Sequence, residues 1–330
     1  MPWQADLFDY NDETDGWLAQ PARIARPSRR SPTSGHPITF EAAARVLEGS
    51  DDFRVLRRLR PREISGPRPL GPGEKRAVIL DTETTGLDHK RHEVIELGMV
   101  EFVHDAAGVI LAVTAEYNAL QEPSGSLPPE ITRLTGITDA MLEGQRIDLE
   151  AVEAFIADAD LVIAHNAGFD RPFCERLVRG FDPKPWACSV KEVPWAEFGF
   201  EGSKLGYLVG QIGWFHTGHR ATDDCHALLE VLAAPLPDNT GSAFGHLLAR
   251  SETAHIRIWA EGAPFELKDQ LRGRGYRWSD GSDGRPRAWW IEIEEALAQA
   301  EIAFLETEIY MRRVRPRAQR ITACERYKSA

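Results

Sequence analysis

Apolar positions from Ala77 to Leu80 form a continuous block that runs directly into Asp81-Thr82-Glu83-Thr84-Thr85-Gly86-Leu87. A short apolar run closed by turn formers predicts a strand buried on both faces. Two β-branched runs, Val94 to Val103 and Val109 to Tyr117, are joined by Asp105-Ala106-Ala107-Gly108 and predict an antiparallel hairpin beside it. Short helical stretches follow at Glu130 to Leu134 and after Thr135-Gly136-Ile137-Thr138. A helix from about Leu149 to Ala157 then leads to a second buried strand, Leu161 to Ala164. Beyond it come a helix with Phe173, Leu177 and Val178, an edge strand at Ala187 to Val190, a helix at Ser203 to Ile212, and a helix with Leu228, Leu229 and Leu232 on its apolar side. Strand, hairpin, helix, strand is an α/β layout with a mixed sheet.

The flanking stretches pattern differently. The first forty residues are polar and interleave Pro21, Pro27, Pro32 and Pro37 with Arg23, Arg26, Arg29 and Arg30, a composition that buries too little apolar surface to order itself. Thr39 is placed to cap a helix from about Phe40 to Leu59, interrupted near Gly49-Ser50, and Pro61 to Gly73 reads as a stiff linker. On the C-terminal side, Pro235 to Asn239 closes the first domain and Ser242 to Glu252 reads as a linker helix. A small α+β module follows: a strand at Ala254 to Trp259, a helix at Phe265 to Arg274, a hairpin around Asp280 to Gly284, and a helix from Glu294 to Tyr310. The expected division is a flexible tail (1–39), a helix and linker (40–73), a main domain (74–235), a linker helix (236–253), the small module (254–311) and a basic tail (312–330).

Side chains alternate faces along a strand, so Asp81 and Glu83 point the same way, and two like charges there call for a cation. A hard divalent ion with oxygen ligands, Mg2+ or Mn2+, suits them. Asp170 follows the second buried strand in His165-Asn166-Ala167-Gly168-Phe169-Asp170, at the carboxyl end of a central strand, where ligands of open α/β sheets gather. His219 stands just before a helix and Asp224 on it, with Asp223 as an alternative register.

The 330-residue chain carries a formal charge of −12, which argues against non-specific coating of nucleic acid. Cys174, Cys188, Cys225 and Cys324 show no metal-ligand spacing, which suits reduced thiols in a cytoplasm, and the acidic N-terminus does not read as a signal peptide.

Asp81-x-Glu83, then Asp170, then His219 with Asp224 five residues on, resembles the three motifs of the DEDDh 3′–5′ exonuclease family, which includes the proofreading epsilon subunit of bacterial DNA polymerase III. Leu134-Thr135-Gly136-Ile137-Thr138 is similar to its connecting segment, with Thr135 where a histidine is frequent. The resemblance implies a ribonuclease-H-like mixed five-stranded sheet flanked by helices, and two divalent cations that cleave phosphodiesters at DNA 3′ ends in proofreading or repair. It implies that Asp81 bridges both ions, that Glu83 and Asp224 hold the one activating water, that Asp170 serves the other, and that His219 is the general base. Thr84, Gly86, Leu87 and Phe169 match positions near the terminal nucleotide. Related enzymes that trim RNA, and a non-catalytic adaptor, are the alternatives.

Since the implied site precedes Pro237, the small module is expected to be dispensable for catalysis on short oligonucleotides. Its Lys268-x-x-Leu271 and Gly275-Tyr276-x-Trp278 resemble modules of annealing helicases. Arg272, Arg274, Arg277, Arg285 and Arg287 with Trp278 and Trp289 suit a phosphate-binding, base-stacking surface, although tryptophans here equally fill a small core. The tail, with Arg312, Arg313, Arg315, Arg317, Arg320, Arg326 and Lys328 against Glu325, is expected to tether DNA. Finally, Gln4-Ala5-Asp6-Leu7-Phe8 resembles the bacterial sliding-clamp-binding peptide, which implies a clamp and a polymerase among the partners.

Overall fold

The computed structural model describes residues 39–236, 241–282 and 284–329. The clamp-like segment Gln4 to Phe8, Pro237 and the turn residue Asp283 lie outside them. Compactness divides the chain between Val55 and Leu56. In the first unit, helix α1 (Phe40–Glu48) starts at Thr39, whose hydroxyl accepts from the Ala42 N–H at 3.2 Å, and it stops at Gly49. The helix expected to continue to Leu59 therefore ends earlier: Gly49-Ser50-Asp51-Asp52 favours turns over helix.

In the second unit the elements are, in order, β1 (Arg57–Arg58), β2 (Lys75–Thr84), β3 (Val94–His104), β4 (Ile110–Leu120), α2 (Pro129–Thr135), α3 (Asp139–Leu142), α4 (Leu149–Ile156), β5 (Leu161–Ala164), α5 (Ala167–Leu177), β6 (Trp186–Cys188), α6 (Ser189–Glu192), α7 (Leu205–Gln211), β7 (Trp214–Phe215) and α8 (Ala221–Ala233). The C-terminal part adds α9 (Ala243–Glu252), β8 (His255–Ala260), α10 (Lys268–Gly273), β9 (Arg277–Trp278), β10 (Trp289–Glu294), α11 (Ala298–Phe304) and β11 (Arg317–Ile321).

The main sheet has the order β4-β3-β2-β5-β6, with β3 antiparallel to β2 and β5 and β6 parallel to it. This mixed five-stranded sheet flanked by helices is a ribonuclease-H-like fold. Alternation along β2 sorts its two cores: Ala77 and Ile79 pack with Leu228, Leu229 and Leu232 of α8, while Val78 and Leu80 pack with Phe173 of α5 and Trp186. A second sheet, β11-β8-β10-β9, buries Ile258 and Ile291 against Leu271, Leu305 and Ile309.

Three sequence expectations change. Val190 lies in α6 rather than in an edge strand, since β6 ends at Cys188. The Pro-rich stretch is no free linker: Ile64 bridges Val113, and the Ser65 N–H donates to the Val113 carbonyl at 2.9 Å. The basic tail is structured. Residues 317–321 form β11, and Arg326 is 6% exposed, ion-paired with Glu192 at 3.0 Å. Lys328 pairs with Asp182 and Arg320 with Glu295, so these charges are committed to the protein. The Ala323 carbonyl accepts from the Trp186 N–H at 2.9 Å, which fastens the C-terminal segment to the edge of the main sheet. Cutting at Pro237 would therefore also strip groups of the C-terminal segment that pack against the main domain.

Candidate active site

Asp81 and Glu83 lie near the end of β2 on the face covered by α8. Opposite Asp81 on β3 stands Gly98, and a Cβ there would meet the Ala221 carbonyl carbon and the Thr222 nitrogen at 2.5 Å. Only glycine allows the first turn of α8 to sit that close, and the approach brings Asp224 down to the strand. The result is one carboxylate oxygen each from Asp81, Glu83 and Asp224 within 4.8 Å of one another. Asp223, the alternative in sequence, is exposed.

Asp170 arrives from the opposite side. On α5, it is 3% exposed, and its Oδ1 accepts from the Thr82 hydroxyl at 2.8 Å and the Thr82 N–H at 3.2 Å. Thr82 alternates with Asp81 and Glu83, so the acids converge on the end of β2 from both faces, with Asp170 outside the tight trio. His219 sits just before α8 with φ 64°, a conformation uncommon for a non-glycine residue. Its N–H donates to Asp224 Oδ2 at 2.8 Å while its side chain is exposed.

Sequence reasoning missed several groups around the trio. His216 Nε2 lies 2.7 Å from Asp224 Oδ1, so this imidazole rather than that of His219 touches the aspartate. Glu96, opposite Glu83 and fully buried, accepts from the Arg220 guanidinium at 2.8 Å and from the Ala221 N–H at 3.2 Å. An acid inside the apolar run Val94 to Val103 was the available signal for Glu96. His165 is held between the Ser189 hydroxyl at 2.7 Å and the Ser203 carbonyl at 2.8 Å, and burial lowers its pKa to about 4, so it serves as a neutral brace.

Burial is the largest influence on the acids. It pushes Asp81 well above the usual carboxylate range, with the charges of Asp170, Asp224 and Glu83 adding to it. Glu83 is raised to about 8 by burial and by Asp224 and Glu96, with Arg220 pulling the other way. Asp170 is raised to about 7 by burial against the lowering hydrogen bonds of Thr82. Clustered carboxylates that favour protonation are a site that a hard divalent cation would neutralise, and all-oxygen donors fit Mg2+ or Mn2+.

Of the remaining expected substrate contacts, Leu87 is 54% exposed. The Thr84 hydroxyl donates to the Gly86 carbonyl at 2.7 Å, and a Cβ on Gly86 would collide with the His92 ring at 2.5 Å. Phe169 packs on the α5-side core with its ring 5.0 Å from Phe173, so much of its surface is already used.

Residues 78–232 match the family model described as Exonuclease. This segment belongs to the exonuclease family. Asp81, Glu83, Asp170, His219 and Asp224 all fall inside it, and their order marks the 3′–5′ DEDDh type. The DNA polymerase III subunit epsilon of Treponema pallidum is 29% identical over 189 residues, 54% of this chain and 85% of that one. The subunit of the same name from Aquifex aeolicus is 29% identical, over 47% of this chain and 77% of its own length. The PolC-type DNA polymerase III of Thermotoga maritima is 38% identical over 48% of this chain and only 12% of its own length. Among solved structures, Exonuclease X in complex with 5′ overhanging duplex DNA aligns with 53% of this chain and 98% of its own, at 20% identity and a TM-score of 0.38. An E. coli ExoI–ssDNA complex aligns with 67% of this chain and 63% of its own, at 13% identity and a TM-score of 0.46. Among the described residues, no helix is long and apolar enough to cross a membrane.

Proposed function

We propose that this exonuclease removes nucleotides from single-stranded or frayed DNA 3′ ends, in proofreading or repair in the cytoplasm, with two divalent cations as cofactors. The observation that carries the reading is the trio of Asp81, Glu83 and Asp224 within 4.8 Å, inside the segment that matches the family. Asp81, Glu83 and Asp224 would hold one cation, and Asp81 with Asp170 the other. Such cations would neutralise charge on the scissile phosphate and the leaving 3′ oxygen and ease deprotonation of water.

The chain's own groups do the rest. His219, on the exposed approach to α8, takes the proton from the attacking water, a role that suits an imidazole at working pH. His216 fixes Asp224 from behind, and the Glu96–Arg220 pair seats the start of α8 on β3. Leu87 and Phe169 contact the terminal base, while the backbone around Thr84 and Gly86 approaches its phosphate. Residues 74–235 act as the nuclease, completed by the C-terminal segment.

End-labelled DNA and RNA oligonucleotides, incubated with Mn2+, Mg2+ or chelator, test this directly. Stepwise metal-dependent shortening of DNA from the 3′ end is expected. Degradation of RNA alone would favour the RNA-trimming relatives, and no shortening of either overturns the reading.

A polymerase and a sliding clamp are the proposed partners. The clamp rests on Gln4-Ala5-Asp6-Leu7-Phe8, since a tethered peptide would hold an acidic protein at DNA ends by raising its local concentration. Purified clamp should bind the wild type and not L7A/F8A. Equal binding by both, or by neither, removes this part.

A further inference from the structure

The second sheet has one face packed on its helices and another that carries charge. Its register aligns one row across all four strands: Arg317 of β11 pairs with Trp259 of β8, Trp259 with Trp290 of β10, and Trp290 with Arg277 of β9. These positions alternate with Ile258 and Ile291, which point into the module's core, so the row lies on the opposite face. Guanidinium groups lie over both indoles. Arg317 is 5.5 Å from the Trp259 ring, and Arg277, Arg257 and Arg285 are 4.9, 5.1 and 5.8 Å from the Trp290 ring.

On this face Arg257 has a carboxylate partner, Glu292 at 2.8 Å. Among the described residues, Arg277 and Arg317 have no carboxylate partner, and both are exposed. Trp259 is 3% exposed, and its indole N–H is buried with no acceptor. A guanidinium stacked on an indole keeps its full charge and leaves its in-plane N–H donors for an outside acceptor. In a chain of net charge −12, such a row is a local exception that suits an anion, and of the two rings the half-buried Trp290 offers surface for stacking to a base, while Trp259 is buried and holds the row in place.

We propose that the Arg317–Trp259–Trp290–Arg277 row binds the single-stranded DNA that lies 5′ of the end being digested, its phosphates on Arg277 and Arg317. The choice of DNA rests on the exonuclease reading above. This surface differs in part from the one expected from sequence: Trp259, Trp290 and Arg317 belong to it, while Trp289 shares the face of Ile258 and Arg274 is paired with Glu301.

The test uses the full chain and its R277A/R317A variant, with fluorescent dT30 and rU30 followed by anisotropy in chelator from low to high salt. Chelator stops hydrolysis, so binding is read apart from catalysis. The variant is expected to bind dT30 about tenfold more weakly near 0.1 M salt. Its salt slope should fall by about 1.4, because each single-strand phosphate that the variant no longer neutralises accounts for about 0.7. R277K/R317K should recover most of the slope, which separates lost charge from misfolding. Digestion of a four-nucleotide oligomer should be equal in wild type and variant. Unchanged dT30 affinity and slope overturn the proposal, as does a loss confined to rU30. A wild type that binds dT30 through these residues yet digests nothing would keep this surface and refute the nuclease reading.

Discussion

The Arg171 guanidinium donates to the carbonyl oxygen of Arg326 at 2.7 Å, joining residues 155 positions apart. Arg171 follows Asp170 directly on α5 and is fully buried. It also donates to the carbonyls of Cys324 at 2.8 Å and Asp182 at 2.9 Å, pairs with Glu175 at 2.6 Å, and lies 5.5 Å from the Trp186 ring. The end of the chain is thus part of what holds the Asp170 helix in place.

Arg171→Ala should destabilise the protein by about 3 kcal/mol or more, because it strands buried carbonyls and the Glu175 carboxylate together. A chain ending at Ile321 should lose stability for the same reason. Urea denaturation checks both, and midpoints equal to wild type would show that the C-terminal segment supports nothing. Where the truncated protein still folds, kcat should fall more than KM rises, since Asp170 shifts while substrate contacts elsewhere persist.

Asp81→Ala should abolish hydrolysis while leaving the fold intact, because it removes the acid common to the proposed ligand sets. In chelator its thermal midpoint should lie above that of the wild type, since a buried repulsion is relieved. More than a small residual rate from well-folded protein would displace Asp81 from the site.

In the metal-free protein the raised acids should lower stability as pH rises from about 4 to about 8, outweighing His165, whose pKa lowered to about 4 acts in the opposite sense below its ordinary 6.5. Unfolded, the carboxyls ionise near their ordinary values, 3.8 for aspartate and 4.5 for glutamate, while burial holds Asp170 near 7 and Glu83 near 8. Between those limits the folded state retains protons that the unfolded state has released, so each unit of pH costs stability until the folded groups ionise too. Saturating Mg2+ should flatten the profile. Thermal midpoints across pH with and without Mg2+ measure this, and a metal-free profile that rises over the same range contradicts the assignment.

His219→Ala and His216→Ala should separate two roles. The first is expected to lower kcat by roughly 100-fold to 10,000-fold with little change in the Mn2+ requirement, as for loss of a proton acceptor. The second should instead raise the Mn2+ concentration needed, by roughly 10-fold to 100-fold, since His216 orients a ligand. The reverse pattern would make His216 the base.

What the sequence by itself determined is local. The apolar run at Ala77 to Leu80, the hairpin runs around Asp105 to Gly108 and the strand Leu161 to Ala164 specify their elements through period and turn chemistry, which depend on near neighbours. Strand alternation likewise sets Asp81 and Glu83 on one face. Tertiary structure alone decided which acids meet there. Asp224 rather than Asp223 reaches the trio because Gly98, a residue of another strand, lets α8 sit close, and Asp170 stands apart because Thr82 holds it from the opposite face. The arginines of the C-terminal stretch read as a free tail because composition shows charge but not partners. Arg326 is buried against Glu192, 134 residues earlier, while Arg317 and Arg277 stand open across a sheet. Pairings over such separations follow from how the sheets and helices close on each other, and no periodicity within a window of sequence encodes them.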